Sequence, residues 1–175
     1  MKLPDDTLRT ILQEKLSTDL RSGDVRLRSD TPHWISFEVA CRLDTAFRLA
    51  EFMHALLAAV NSESREEITM AFRELLVNAV EHGGRLDPDK KVGVDYVRFP
   101  RSIVCCIRDP GEGFSFDDLE HAAVSSASKQ PFQHLEIREK RGIRPGGMGL
   151  LIAKNSVDEL VYNARGTEVM FIKYL

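Results

Sequence analysis

The stretch RELLVNAVEH, residues 73–82, decides the fold of this chain. Its apolar side chains recur at helical spacing and predict an amphipathic helix over about residues 65–82. The apolar stripe comprises Phe72, Leu75, Leu76 and Ala79. A second stripe aligns an acid, an amide, another acid and an imidazole: Glu74, Asn78, Glu81 and His82. An arrangement of this kind suits a catalytic or ligand-binding helix as well as a solvated one.

Glu74 and Asn78 carry the chemistry of this stripe. They stand four residues apart on a helix, so their side chains point the same way. An amide oxygen can ligate a hard cation such as Mg²⁺, and a carboxylate one turn away can accept a proton from an attacking hydroxyl. When the pair is taken alone, a plain solvated helix face is the favoured explanation. We interpret Glu81 as a solvated acid and His82 as a packing or capping residue.

A second polar site is RDPGEGF, residues 108–114, directly after an apolar strand. Asp109 stands where that strand ends, and a carboxylate can accept a hydrogen bond from an exocyclic amine such as that of adenine. Gly111 and Gly113 allow the backbone to approach a ligand closely. The alternative is an ordinary tight turn, since Asp-Pro-Gly is common turn chemistry.

A third site is RPGGMGLL, residues 144–151, where glycines lead into a helix. Backbone N–H groups at a helix N-terminus attract anions such as phosphate, and Arg144 could add a charged contact. The alternative here is a flexible glycine loop.

The remaining pattern predicts an α+β fold. Helices are expected at about 43–60, 65–82 and 149–157, and Ser62 or Ser64 can cap the second of them. Strands are expected at 33–41, 92–99, 102–109, 158–164 and 167–175, the last two joined at Arg165–Gly166. Neighbouring strands joined by short turns pair antiparallel, and helices must cover one face. The prediction is therefore a two-layer sandwich with a mixed, mostly antiparallel sheet.

Two segments stand outside this pattern. Residues 5–20 show a short helical stripe and residues 29–32 a turn, so we divide the chain into a helical arm, 1–31, and a main domain, 32–175. Residues 110–147 lack periodicity, and a long segment of this kind is usually a functional lid or a disordered segment.

Bulk composition excludes several classes of protein. The chain has 175 residues with 24 basic and 27 acidic side chains, a net charge of −3, which disfavours phosphate-driven nucleic-acid binding. No apolar run reaches the roughly 18 residues of a membrane span, and the N-terminus lacks a signal-peptide core. Three cysteines, two of them adjacent, indicate buried thiols rather than a disulfide framework. We therefore expect a cytoplasmic protein with no membrane contact and no direct nucleic-acid contact.

The order of the motifs is more specific than any one of them. The chain shows E-x-x-x-N, D-x-G-x-G after a strand, G-x-G opening a helix, and Gly166–Thr167 in a hairpin. This order resembles the N box and glycine boxes of the GHKL ATP-binding superfamily, which has the Bergerat or histidine kinase-like ATPase fold. Over residues 33–175 the amino-acid sequence is most similar to the anti-sigma factor serine kinases of the RsbW and SpoIIAB type.

The resemblance implies a role for each motif residue. Glu74 would be the general base, and Asn78 would bind Mg²⁺ that bridges the ATP phosphates. Asp109 would hold the adenine amino group, with Thr167 supporting the water network there. Gly111 and Gly113 would shape the nucleotide pocket, and Gly147 and Gly149 would border the phosphates. Arg144 would lie near the γ-phosphate or the partner. Residues 115–145 would form the ATP lid.

The function implied by the resemblance is a serine/threonine protein kinase that uses Mg-ATP. It would phosphorylate a STAS-type anti-anti-sigma protein and sequester a sigma factor, as a homodimer. A nucleotide-gated binding module without kinase activity is the first alternative. A histidine kinase catalytic domain is the second, and the 30-residue arm is short for a phosphoacceptor domain.

Overall fold

A computed structural model of the protein describes residues 24–31, 33–113 and 148–175. These residues form one six-stranded sheet with the spatial order β1-β2-β3-β4-β6-β5. Every neighbouring pair in it is antiparallel. The strands are β1 Val25–Thr31, β2 Trp34–Ala40, β3 Lys91–Phe99, β4 Ser102–Arg108, β5 Glu159–Tyr162 and β6 Glu168–Tyr174.

Three α-helices in the described ranges form the second layer: α1 Leu43–Leu56, α2 Ser62–Asn78 and α3 Met148–Ser156. α2 lies between α1 and α3 and packs against both. A five-residue π-helix, Ala79–Gly83, follows α2 directly. The predicted two-layer α+β architecture is thereby confirmed. Among the described residues, no helix combines the length and the apolar character needed to cross a membrane.

Strand alternation builds the core. Successive side chains of a strand point to opposite faces, so every second residue of the central strands enters the helix layer. On β3 and β4 the buried residues are Val92, Val94, Tyr96, Ile103, Cys105 and Ile107. They join one cluster with buried side chains of α1, α2 and α3, so the sheet end that follows Ile107 is anchored rigidly.

The strand β1 was not predicted from the sequence. Its sequence VRLRSDT alternates apolar and polar residues only over residues 25–28 and then continues with the polar residues SDT, where a turn was expected. It is an edge strand, and its Arg26 and Arg28 form ion pairs with Glu38 of β2. The sheet therefore begins at Val25, and the boundary expected near residue 32 falls inside the β1–β2 hairpin. The helical pattern at 5–20 and the lid at 115–145 lie outside the described residues.

The start of α2 also differs from the prediction. Ser62 or Ser64 was expected to cap this helix, but the capping residue is Asn61, whose Oδ1 accepts from the backbone N–H of Ser64 at 2.9 Å. Its Nδ2 donates to Ser64 Oγ at 3.1 Å, so both ends of the Asn61 amide are paired. The helix ends at Asn78, earlier than the predicted residue 82, where the π-helix takes over.

Truncation of a central side chain tests this core. Phe37 on β2 is 1% exposed and meets Phe52 of α1 edge to face, with ring centroids 5.5 Å apart. We expect Phe37→Ala to lower the free energy of unfolding by about 3–5 kcal/mol in urea titrations, because it leaves a cavity between the layers. Met70→Ala, at a 49% exposed position on α2, is the control and should change that free energy by less than about 0.5 kcal/mol.

Candidate functional site

The polar residues of α2 lie at its C-terminal end. Glu74 and Asn78 are both half-buried, one turn apart, and Asn78 is the last α-helical residue. The π-helix that follows is closed by the backbone N–H of Gly84, which donates to Ala79 O at 2.8 Å. Short π-helical segments occur often at functional sites.

The π-helix breaks the polar stripe that the sequence suggested. A regular α-helix would place Glu81, seven residues on, over Glu74. The wider π-turn rotates Glu81 and His82 away from that line. Glu81 is half-buried and His82 is exposed. The prediction of one continuous α-helix to residue 82 is wrong here, and the Glu74–Asn78 pair stands without Glu81.

The carboxylate of Glu74 lies against the first turn of α3. A Cβ built on Gly149 would lie 2.5 Å from Glu74 Oε2, so a side chain at this position would push the Glu74 carboxylate away from the helix. Gly149 is the second residue of α3, and backbone N–H groups in the first turn of a helix attract anions. The structure thus places the candidate base beside the candidate phosphate site. Arg144 and Gly147 lie outside the described residues.

Asp109 follows β4 and is held between two glycines. Its Oδ1 accepts from the N–H of Gly111 at 2.8 Å. A Cβ on Gly83 would overlap the Asp109 side chain, and one on Gly111 would lie 2.8 Å from Oδ1 and 2.9 Å from Gly83 Cα. Burial raises the pKa of the Asp109 carboxyl above its usual range, while the Gly111 hydrogen bond opposes this rise.

The glycine loop also rests on the β5–β6 hairpin. The backbone N–H of Asp109 donates to Thr167 O at 2.9 Å, which extends the β4–β6 ladder by one bond. Gly113 has a φ of +91°, and a Cβ there would overlap Arg165 O and lie 3.1 Å from Thr167 Cγ2. The structure therefore brings Asp109, Gly111, Gly113 and Thr167 together.

Some residues of this site were missed from the sequence. Gly83 is the last residue of the π-helix and Gly84 follows it, and this glycine pair was a usable signal in the sequence. A Cβ on Gly84 would overlap the buried Cys41 side chain, so Gly84 packs directly on the core. Tyr162 of β5 gave no signal, because only strand pairing brings it near Asp109. Burial, together with the Asp109 charge, raises the pKa of Tyr162 to about 12.

These residues fit an adenine nucleotide with Mg²⁺. Gly83 and Gly111 let the backbone close on the Asp109 carboxylate, and a carboxylate is an acceptor of the kind that the adenine amino group requires. The amide of Asn78 is an oxygen ligand of the kind that Mg²⁺ accepts beside phosphates. The glycine at the start of α3 leaves its first turn open to an anion.

The chain belongs to the family described as Histidine kinase-like ATPase domain, which its sequence matches over residues 35–173. It is also similar to curated proteins called Serine-protein kinase RsbW. The protein of that name from Listeria monocytogenes serotype 4a is 27% identical over 120 residues, 67% of this chain and 71% of the relative. The one from Bacillus subtilis is 26% identical over 111 residues, 63% and 64% of the two chains. The expected superfamily resemblance is confirmed.

Substitution of Gly83 tests the contact with Asp109. We expect Gly83→Ala to displace the Asp109 carboxylate, because the added Cβ overlaps it. The result should be at least about a tenfold loss of ATP affinity by isothermal titration calorimetry, since a mispaired buried polar group costs about 1–3 kcal/mol. The control is Gly93→Ala on β3, where the nearest atom to the new Cβ is Arg108 Nε of a long side chain, at 3.4 Å. Equal losses in the two variants would contradict this assignment.

The raised pKa of Asp109 predicts a pH dependence of stability. A carboxyl whose pKa is higher in the folded state binds protons more readily there, so its charge destabilises the fold above that pKa. The penalty is absent below the unfolded value of about 3.9 and grows as the pH rises through the folded pKa. We expect Asp109→Asn to remove this decline when urea stability is measured between pH 4 and 7. An unchanged profile would show that Asp109 carries no such penalty.

Proposed function

We propose that this protein is an ATP-dependent serine/threonine protein kinase of the anti-sigma factor type. Membership of the histidine kinase-like ATPase family supports nucleotide binding, and the likeness to Serine-protein kinase RsbW supports transfer to a serine. The observation that carries the proposal is the contact between Glu74 and Gly149, which sets a carboxylate beside the start of α3. A purely nucleotide-gated module has no need for an acid at that place.

Each site residue takes one role in the proposed reaction. Asp109 accepts from the adenine amino group, between Gly83 and Gly111. Asn78 would supply an oxygen ligand to Mg²⁺, and the N–H groups at the start of α3, at Gly149, would face the phosphates. The resemblance implies the same place for Gly147. Gly113 and Thr167 shape the base side of the pocket. For Arg144, which lies outside the described residues, the resemblance implies a place near the γ-phosphate or the partner.

Bound Mg-ATP supplies the phosphoryl group and part of the charge neutralisation. Glu74 accepts the proton of the acceptor hydroxyl as the new oxygen–phosphorus bond forms. The bond between the γ-phosphorus and its bridging oxygen breaks, and ADP leaves. Phosphoryl transfer depends mainly on positioning the reactants and stabilising the charge on the phosphates. A fixed carboxylate and a helix N-terminus can provide both.

The acceptor in this proposal is a STAS-type anti-anti-sigma protein, and the second partner is a sigma factor that the kinase sequesters. The kinase would act in the cytoplasm as a homodimer. These assignments extend to the chain what its resemblance to the RsbW type implies.

A matched pair of variants tests the proposal. We expect Glu74→Gln to bind Mg-ATP within about threefold of wild type but to lose about 10²–10⁴-fold in transfer rate to the STAS-type protein, because general base catalysis contributes on that scale. Glu81→Gln, which removes the other acid of the sequence stripe, should transfer at the wild-type rate. Binding is measured by calorimetry and transfer by radiolabelled γ-phosphate.

The product and the metal ligand separate the proposal from its alternatives. An acid-stable hydroxyl ester on the acceptor supports the serine/threonine kinase, whereas an acid-labile phosphoimidazole would identify a histidine kinase. Binding of ATP without transfer to any STAS-type protein would favour the nucleotide-gated module. Asn78→Ala should abolish Mg²⁺-dependent ATP binding, and normal binding by this variant would refute the ligand assignment.

A further inference from the structure

The turn between β5 and β6 is organised by one side chain, Asn163. Its Oδ1 accepts from two backbone N–H groups, that of Thr167 at 3.0 Å and that of Glu168 at 3.3 Å. Its own backbone N–H donates to Glu168 O at 2.9 Å, and its carbonyl accepts from the N–H of Gly166 at 3.0 Å. The turn is therefore fixed before any ligand binds.

The two backbone donors fix which way the Asn163 amide faces. An oxygen must meet the two N–H groups, so the amide nitrogen is the atom that faces Thr167 Oγ1, at 3.1 Å. That nitrogen can only donate, so the Thr167 hydroxyl oxygen accepts. A hydroxyl that already accepts from Nδ2 still has its own proton to donate elsewhere.

Strand pairing shows where that proton is needed. Thr167 extends the ladder of β6 by one residue, so it shares a face with Val169, two residues on. Val169 pairs with Ile107 across β4, and Asp109 shares the face of Ile107. The Thr167 hydroxyl and the Asp109 carboxylate thus lie side by side on the face that the helices cover, where the base of the nucleotide is proposed to sit.

We propose that Asn163 is a positioning residue that makes the Thr167 hydroxyl a hydrogen-bond donor towards the nucleotide base, so that the site selects adenine over guanine. This inference rests on the proposed function. The Asp109 carboxylate accepts and the Thr167 hydroxyl donates, which matches the amino group and neighbouring ring nitrogen of adenine. Guanine presents the opposite order, a carbonyl and a ring N–H. A bridging water preserves the match, because it accepts from the hydroxyl and donates to the ring.

The variant Asn163→Asp reverses this polarity with little change of shape. One carboxylate oxygen still accepts from the two backbone N–H groups, while the other now faces Thr167 Oγ1 and needs a donor. The Thr167 hydroxyl proton turns towards that second oxygen, and the Thr167 oxygen then offers a lone pair to the base. We expect the ratio of ATP to GTP affinity to fall about 3- to 10-fold, the scale of one net hydrogen bond. The added charge repels both triphosphates alike, so it does not change the ratio.

The matched control is Asn61→Asp at the start of α2. Asn61 has the same pair of contacts, with Oδ1 accepting from a backbone N–H and Nδ2 donating to the hydroxyl of Ser64. It stands 17 residues before Asn78, at the opposite end of the same helix, so its replacement should leave the nucleotide ratio unchanged. In a Thr167→Val background, Asn163→Asp should also leave the ratio unchanged, because the hydroxyl that it reorients is gone.

Calorimetry with ATP and GTP decides the inference, with thermal unfolding of each nucleotide-free variant as a check on folding. A ratio for Asn163→Asp equal to that of wild type, or an equal fall in the Thr167→Val background, overturns it. If Asn163→Asp does not fold, Asn163→Ala replaces it and should lower the ratio in the same direction; an unchanged ratio refutes the inference. Failure of the wild-type chain to bind ATP refutes the proposed function and this inference together.

Discussion

The Asp109 carboxylate, held between Gly83 and Gly111, joins the three parts of the site. Gly83 ends the π-helix after α2, Gly111 belongs to the loop after β4, and the Asp109 backbone bonds to the β5–β6 hairpin through Thr167. A half-buried carboxylate is costly to desolvate, as its raised pKa shows. The core beneath it, from Ile107 to the buried face of α2, holds the acid in this place.

The parts of the fold with strong periodicity were predictable from the sequence. The apolar alternation of β3 and β4 and the 3.6-residue stripe of α2 each reflect burial on one face, and burial is what a sequence pattern records. The edge strand β1 was missed because its apolar alternation covers only residues 25–28 before the polar residues SDT. The π-helix was not predicted, because a single widened turn changes the hydrogen-bond pattern without changing residue composition.

The candidate site divides in the same way. Glu74, Asn78, Asp109 and the glycines occur in short local motifs, so their residue types and spacing were enough to suggest the chemistry. Strand pairing brings Tyr162 near Asp109, which is distant in sequence. The turn between β5 and β6 brings Asn163 next to Thr167. No local motif marks such residues. Hydrogen-bond direction, on which Asn163 depends, is a property of the folded turn alone.

The π-helix at Ala79–Gly83 makes the length of this segment as important as its residues. A turn closed between residues five apart takes up one residue more than an α-helical turn, so regular α-helical winding of the same residues would carry Gly83 about 100° further round the axis. Asp109 would then face a different side chain. Point substitutions at the solvent-facing positions leave this geometry intact, while a one-residue insertion that keeps the π-turn does not. Among relatives that keep the site, the spacing from Asn78 to the glycine pair should vary less than the residues between them.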